Sequence, residues 1–166
     1  MNEQATLLAQ RLIRNFEQVE KTHDARPPLY DSLGARLGTG TAAGKLGASI
    51  DVVAPGMRSC PYHFHYAQEE MFIVLEGTGT LRVAGEQLPI KSGDVIFIPP
   101  GPEYPHQIIN TSQAPLKYLS ISTREQPELV EYPDSGKFQA TALREDKAVR
   151  YVQRPSASLD YWQDEP

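Results

Sequence analysis

The chain has 166 residues, a formal net charge of -5 and a pI of about 5.4. That length favours one domain with a sizeable core and a tail at each end. The acidic balance and the absence of a basic run argue against a nucleic-acid or anionic-membrane partner, and we expect neither.

The sequence also bears on where the protein resides. No apolar stretch approaches the roughly 20 residues that span a bilayer, and Met1–Gln4 lacks the basic start of a signal peptide. The single cysteine, Cys60, cannot form an intrachain disulfide, which fits a reducing compartment. We therefore predict a cytoplasmic protein.

The N-terminal region carries apolar residues at the spacing of an amphipathic helix over residues 4–21, namely Leu7, Leu8, Leu12, Ile13, Phe16 and Val19. Such a helix could belong to a dimer contact or cover an open end of a barrel, and the sequence leaves both roles open. Pro27 and Pro28 end the pattern, so residues 22–28 are predicted to be a loop or extended arm. His23, in this arm, is expected to be an ordinary exposed histidine.

The middle of the chain is a succession of short apolar runs separated by turn residues. The glycine-rich residues 33–47 are predicted to be a loop or irregular edge. Short strands are predicted at residues 48–53, 71–75, 80–83, 88–90, 95–98, 107–110 and 116–122. Gly77–Gly79 is expected to turn the chain so that 80–83 forms a hairpin with 71–75, a strand apolar on both faces. With almost no helix between the strands, the pattern predicts an all-β sandwich or barrel.

Beyond Arg124 the sequence lacks strong periodicity and predicts an extended peripheral segment, which Tyr151, Tyr161 and Trp162 could anchor. The predicted organisation is an N-terminal helix and arm at residues 1–30, a β-barrel at 31–125 and a peripheral C-terminal segment at 126–166.

Metal-binding side chains are concentrated just before the strand at 71–75. His63 and His65, spaced i and i+2, point to one side of an extended chain, so both imidazoles can reach one ion. Glu69 and Glu70 compete for a carboxylate role. Strand alternation selects Glu70, because it shares a face with Phe72 and Val74, and Glu69 is then a solvent-facing or supporting acid.

A third histidine, His106, precedes the strand at 107–110 and completes the site if that strand lies in the same barrel. Three imidazoles and one carboxylate make a mixed nitrogen and oxygen site suited to one divalent transition metal ion. Iron, manganese, nickel, cobalt and zinc are all compatible with these ligands.

These residues fall into two motifs that resemble those of the cupin superfamily. The first motif is a glycine, a His-x-His pair, a glutamate and a later glycine, here Gly56, His63, His65, Glu70 and Gly77. The second motif is represented by Gly93, Pro99, Gly101, His106 and Asn110. Two spacings depart from the family pattern. Six residues instead of five separate Gly56 from His63, and four instead of two separate Gly101 from His106. The resemblance covers residues 46–122, and residues 132–137 resemble small single-domain bacterial cupins of uncharacterised type.

The resemblance implies an all-β fold, a single cupin jelly-roll barrel that holds one metal through His63, His65, Glu70 and His106. It also implies a small-molecule ligand or substrate inside the barrel, and we expect a homodimer. A metal-dependent enzyme is favoured, as a dioxygenase-like oxidoreductase first and an isomerase or decarboxylase next. The alternative is a non-enzymatic metal-binding, small-molecule-binding or sensor cupin.

Several neighbours of the ligands have two interpretations. Tyr62, Tyr66 and Tyr104 are expected to be packing or rim residues, although each could donate a hydrogen bond to substrate or Glu70. Cys60 is expected to be a small buried residue without a ligand role. Phe72, Val74 and Ile108 are expected in the core, with the wall of a substrate pocket as the alternative.

Overall fold

The computed structural model describes residues 2–144 and 147–165. Within them, one α-helix precedes thirteen strands and a short 3₁₀ helix, Pro155–Ala157. The elements are α1 (Glu3–Leu12), β1 (Thr22–Arg26), β2 (Tyr30–Arg36), β3 (Leu46–Val53), β4 (Phe64–His65), β5 (Glu70–Glu76), β6 (Thr78–Val83), β7 (Glu86–Lys91), β8 (Val95–Ile98), β9 (His106–Ile109), β10 (Leu116–Thr123), β11 (Glu128–Tyr132), β12 (Lys137–Arg144) and β13 (Lys147–Gln153). All seven predicted strands are present, with bounds that differ by a few residues.

The strands form antiparallel sheets that close into a jelly roll. One sheet has the order β1-β2-β3-β10-β5-β8, a second has β13-β12-β11-β4, and a third has β7-β6-β9. Their inner faces enclose one apolar core, made of Val53, Phe72, Val74, Leu81, Ile90, Ile98, Ile108, Leu116 and Tyr118. The predicted all-β class is confirmed, and the three apolar residues expected in the core, at 72, 74 and 108, lie there.

Helix α1 is shorter than predicted. The side chain of Asn2 caps its start by accepting a hydrogen bond from the Ala5 amide, at 2.9 Å. The helix ends at Leu12, where the Arg14 guanidinium donates to the free carbonyl of Gln10 at 2.6 Å. Phe16 lies beyond this end and packs near the Lys117 ammonium, 5.6 Å from its ring centroid. The second half of the predicted helix is therefore not helical, and Phe16 makes a tertiary contact instead.

The apolar side of α1 is exposed. None of its residues is buried by the part of the chain that the structure describes, and Leu7, Leu8 and Leu12 are among the exposed large apolar residues. A homodimer stays a prediction, and a contact through this helix would give the leucines a partner. No helix among the described residues is long and apolar enough to cross a membrane.

The predicted hairpin between residues 71–75 and 80–83 is wrong. Strand β5 pairs with β10 and β8, whereas β6 pairs with β7 and β9. The chain crosses between sheets at Gly77, whose φ of 86° suits glycine. A Cβ at Gly77 would lie 2.6 Å from the Pro115 carbonyl oxygen, and one at Gly79 would lie 2.6 Å from the Ile109 carbonyl oxygen. The glycines therefore serve a close crossing between sheets and not a hairpin turn.

The faces of β5 also differ from the prediction. Its inward residues, including Glu70 and Phe72, are buried, but the outward residues 71, 73 and 75 are only half-buried. The strand is therefore covered fully on the inner side alone.

Two segments predicted as loops, residues 22–28 and 33–47, contain strands. Residues 30–36 form β2, which pairs with β1 on one side and β3 on the other. Gly34 permits this pairing because a Cβ there would lie 3.2 Å from Asp51 Oδ1 on β3. Backbone pairing to an existing strand thus outweighs the low strand propensity of glycine.

The C-terminal segment predicted as extended and peripheral instead forms β11, β12 and β13. Strand β11 pairs with β4, where Val130 lies opposite His65. The proposed anchors Tyr151, Tyr161 and Trp162 are mostly exposed, so they do not hold this segment to the described part of the chain. The attachment is made by β11, which brings buried Glu128 and Val130 against the barrel.

Asn110 joins two strands through a buried side chain. Its Nδ2 donates to the carbonyls of Val53 and Ala114, both at 2.8 Å, and its Oδ1 accepts from the Ser112 amide at 3.0 Å. Asn110 is fully buried, so these hydrogen bonds must satisfy its side-chain amide.

We expect Asn110→Ala to lower the free energy of unfolding by roughly 2 to 4 kcal/mol, because it leaves buried carbonyls without donors. Urea denaturation would measure the change. Asn15→Ala is the control, since Asn15 makes an exposed local bond to the Glu17 amide, and its effect should stay below about 1 kcal/mol. Equal losses in the two variants would contradict the assigned role.

Candidate metal centre

Two of the predicted ligands face each other across a backbone pair. The His63 amide donates to the His106 carbonyl at 3.1 Å, and the His106 amide donates to the His63 carbonyl at 2.8 Å. Directly paired residues of antiparallel strands point to the same face, and the two ring centroids are 4.6 Å apart. His65 lies two residues further along, with its ring 5.0 Å from that of His63. The structure thus gathers all three predicted histidines.

Glu70 begins β5 and places one carboxylate oxygen among the three rings. Its Oε2 lies 2.8 Å from His106 Nε2, 3.4 Å from His65 Nε2 and 3.9 Å from His63 Nε2. Metal–ligand bonds of about 2.0–2.2 Å allow two donors on one ion to be at most about 4.4 Å apart, and each of the three distances from Glu70 Oε2 is within this limit. Donor atoms of His63, Glu70 and His106 lie mutually within 4.8 Å, and His65 adjoins this group through Glu70.

Backbone carbonyls fix the tautomers of two of the rings. His63 Nδ1 lies 2.8 Å from the Pro61 carbonyl, and His106 Nδ1 lies 3.1 Å from the Tyr104 carbonyl. A carbonyl oxygen only accepts, so Nδ1 carries the proton and Nε2 keeps its lone pair. Both Nε2 atoms therefore present lone pairs toward Glu70. The contribution of Tyr104 to the site is thus its backbone carbonyl.

The cluster contains buried polar atoms that the protein itself does not satisfy. Glu70 Oε2 and His106 Nε2 have no partner of hydrogen-bonding geometry among the described residues, although they are 2.8 Å apart. Leaving such atoms unpaired is costly, and a cation coordinated by both would remove that cost. The cluster is therefore compatible with a divalent metal ion, whose identity the donor set does not fix.

The pKa values of His65 and Glu70 favour the protonation states that bind a cation. Burial lowers the pKa of His65 from 6.5 to about 4, and the neighbouring His63 and His106 add to this while Glu70 opposes it. Burial by itself would raise the pKa of Glu70, but the three histidines together hold it below its ordinary value. At neutral pH His65 is therefore neutral and Glu70 is ionised, which are the forms that coordinate metal.

Glu128 is a further site residue, which the sequence prediction missed. Its buried carboxylate accepts from the Tyr66 amide at 3.0 Å and the Gln68 amide at 2.8 Å, and its Oε1 lies 3.6 Å from His65 Nδ1. Burial raises the pKa of Glu128, and the backbone amides that it accepts from oppose this. The carboxylate thus holds the loop between β4 and β5 and lies beside the His65 ring, beyond hydrogen-bond distance. No local pattern in the sequence marks it, because its position depends on the pairing of β11 with β4.

The neighbouring tyrosines make contacts away from the cluster. Tyr62 is buried under the Arg82 guanidinium, which lies 3.7 Å from its ring centroid. Tyr66 is exposed and donates to Glu131 Oε1 at 2.9 Å. These contacts are typical of packing and rim residues.

Cys60 and Glu69 also lie outside the grouped donors. Burial raises the pKa of the Cys60 thiol to about 12, so the thiol form predominates. Glu69 is exposed, and its backbone pairs with Thr123. Of the two adjacent glutamates, Glu70 is the one directed into the cluster.

A cavity of about 390 Å³ lies beside the cluster, with His65 and Glu70 in its wall. The remaining wall comes mainly from β2, β3 and β10 and is largely polar, including Arg36, Ser49, Ser120, Ser122 and Arg124. Sequence reasoning singled out none of these residues. Ser120 and Ser122 alternate along β10 and could have been recognised as an inward polar face.

Comparison with known proteins bears on the fold of the chain. Residues 49–122 match the family model described as a cupin domain. This stretch contains all four predicted ligands and the strands β5 to β10. Residues 49–122 of the chain are therefore similar to a cupin domain, the resemblance that the two motifs predict.

Curated relatives match over the same region. The chain is 40% identical over 73 residues to an uncharacterized protein of Methanocaldococcus jannaschii, covering 42% of this chain and 57% of that protein. It is 34% identical over 67 residues to the oxalate-binding protein of Thermotoga maritima, covering 40% of this chain and 54% of that protein. The chain thus spans just over half the length of these two relatives.

Solved structures match over more of the chain. A candidate sugar phosphate isomerase of Acidithiobacillus ferrooxidans has a TM-score of 0.74 at 25% identity, covering 87% of this chain and 90% of that one. A cupin-superfamily sugar phosphate isomerase of Silicibacter pomeroyi also has a TM-score of 0.74, at 23% identity, covering 87% and 93%. The second likeness supports the fold alone, and the predicted cupin jelly roll is confirmed.

If the cluster holds metal, His63→Ala should lose most of the bound metal, because it removes one imidazole donor. Elemental analysis after extensive dialysis would measure the content. His23→Ala is the matched control, since its side chain is 59% exposed and pairs with Asp31 on β2. Equal metal content in wild type and His63→Ala would contradict the ligand assignment.

Glu128→Gln should weaken metal affinity about 10- to 100-fold, because it weakens the hold on the loop between His65 and Glu70 while leaving all four ligands in place. Competition with a chromogenic chelator would measure the affinity. Glu131→Gln, on the same strand, removes a carboxylate that contacts Tyr66 and should leave the affinity unchanged. Unchanged affinity in Glu128→Gln would show that this carboxylate does not support the site.

Proposed function

We propose that the protein is a metal-dependent cupin enzyme that isomerises a small polyhydroxylated substrate by proton transfer. The observation that carries this proposal is the position of the His and Glu cluster beside a polar cavity of about 390 Å³. A cavity of that size suits a small ligand, and its hydroxyl and guanidinium groups suit a polar one.

His63, His65, Glu70 and His106 would hold the ion. When bound, a divalent ion supplies Lewis-acid chemistry that polarises a substrate oxygen. The protein positions the donors: carbonyls of Pro61 and Tyr104 orient two imidazoles, and Glu128 holds the loop that follows the third. Of the four, His65 is neutral and Glu70 is ionised at neutral pH, which are the forms that coordinate metal.

Isomerisation of the aldose–ketose type needs a group that accepts a proton from one carbon and returns it to the next. Ser49 lines the cavity and donates to Asp51 Oδ2 at 3.0 Å. Burial raises the pKa of Asp51, with the Ser49 bond opposing it, and so moves this carboxyl toward the range of a general base. Asp51, with Ser49 between it and the cavity, is our candidate for holding the proton.

The polar lining of the cavity favours isomerase chemistry over dioxygenase chemistry. The sequence favoured dioxygenase-like chemistry before isomerase or decarboxylase chemistry. The wall of serines and arginines favours a hydroxylated polar substrate. The likeness to the candidate sugar phosphate isomerase, at 25% identity over 87% of this chain, supports the same choice.

A binding function without catalysis is the second candidate. The matched relative from Thermotoga maritima is named an oxalate-binding protein, and oxalate is a small polar anion. A polar cavity beside a metal cluster serves such binding equally well. Turnover separates this candidate from the first.

The isomerase proposal predicts exchange of substrate protons with solvent. Metal-loaded protein would be incubated in D₂O with glucose, glucose 6-phosphate and mannose 6-phosphate, and proton NMR would follow deuterium at C2. We expect exchange of at least one of these sugars by wild type and His23→Ala, and loss of exchange in His63→Ala and Asp51→Asn.

Parallel oxygen-electrode and binding measurements separate the alternatives. Oxygen uptake linked to substrate loss would replace the isomerase proposal with the dioxygenase one. Binding without exchange or oxygen uptake would support the binding function instead.

A further inference from the structure

We infer that Arg36 and Arg124 form an anion-binding subsite in the cavity, so that the ligand carries a phosphoryl or carboxylate group. The role of this group as part of a substrate rests on the proposed function, but anion binding itself can be measured independently. Nothing in the sequence motifs assigns either arginine a role.

Strand register aligns the first arginine with a row of hydroxyl groups. Arg36 on β2 lies opposite Ser49 on β3, and Ser49 lies opposite Ser120 on β10. Residues paired across neighbouring strands share one face of the sheet. Because all three line the cavity, they form one polar row across its wall.

An adjacent row connects this wall to the metal cluster. Gly47 on β3 lies opposite Ser122 on β10, and Ser122 lies opposite Glu70 on β5. Three strand intervals separate β2 from β5, which places their backbones roughly 14 Å apart at about 4.8 Å per interval. The side chains of Arg36 and Glu70 both extend into the one cavity between these strands.

Arg124 approaches the same region from the end of β10. Its amide donates to the Lys45 carbonyl at 2.9 Å, which fixes its backbone beside the start of β3. A Cβ at Gly47 would lie 3.1 Å from Ser122 Oγ and 3.7 Å from Arg124 Cγ. Glycine at 47 thus keeps open the space beside Ser122 and Arg124.

The two arginines of this wall are exposed side chains that the described part of the protein leaves available to a ligand. Among the described residues, Arg36 and Arg124 form no salt bridge, whereas Arg82 and Arg26 pair with Asp134 and Asp24. Glu70 is the one carboxylate among the described residues that line the cavity, and it belongs to the cluster. Guanidinium groups offer forked donors that match phosphate and carboxylate oxygens. A bound anion would therefore provide the negative charge that pairs with these guanidinium groups.

Calorimetric titration of the full chain with inorganic phosphate and with acetate tests the subsite. We expect Arg36→Gln and Arg124→Gln each to weaken phosphate binding about tenfold or more, because each removes charge-assisted hydrogen bonds. Arg26→Gln is the matched control, since it loses the same charge from β1 and should bind like wild type. Thermal melting of each variant would verify folding, and Arg36→Lys and Arg124→Lys should retain part of the affinity.

Three results would overturn the inference: undetectable anion binding by wild type, affinities unchanged in both glutamine variants, or an equal loss in Arg26→Gln. Stronger binding of phosphate than acetate would assign the subsite to a phosphoryl group, and the reverse order to a carboxylate. Either order supports the subsite.

Repeating the titration with His63→Ala separates the subsite from the proposed function. Anion binding that persists there and still depends on the arginines supports the subsite even if metal content and turnover measurements reject the enzyme. Binding that disappears with His63→Ala but survives both arginine substitutions would place the anion on the metal and overturn the subsite.

Discussion

The pair of backbone hydrogen bonds between His63 and His106 is the constraint on which the candidate centre depends. It joins two segments separated by more than 40 residues of chain and leaves both imidazoles on one face. Each ring is then turned by a carbonyl two residues before it, Pro61 or Tyr104. Because backbone geometry sets these positions, the insertion before His106 does not move its ring out of the cluster.

Burial determines the chemistry of this arrangement. An ionised carboxylate is stable in the barrel only with compensating partners, and the rings of His63 and His106 turn lone pairs, not N–H groups, toward Glu70 Oε2. The unsatisfied Glu70 Oε2 and His106 Nε2 make a cation the natural complement. Glu128 is a second buried carboxylate. Loop amides stabilise it, and it lies beside the His65 ring.

The cavity shows how a chain with net charge -5 can still present a basic binding wall. Overall charge reflects the whole surface, whereas a ligand responds to the few groups that line its site. Here the register of β2, β3 and β10 gathers serines at the wall, with Arg36 and Arg124 beside them. The resulting preference for a polar anion comes from strand pairing, and net charge gives no sign of it.

The sequence by itself determined the strand pattern, the all-β class and the set of four candidate ligands. Alternation along one strand and two short motifs are local properties, so His63, His65 and Glu70 could be predicted with their shared face. Tertiary structure alone decided that β5 pairs with β10 and β8, that Glu128 of β11 lies beside His65, and that two arginines share the cavity. These features depend on pairing between distant segments, for which local periodicity carries no information, because a strand shows which side is apolar but not which strand lies beside it.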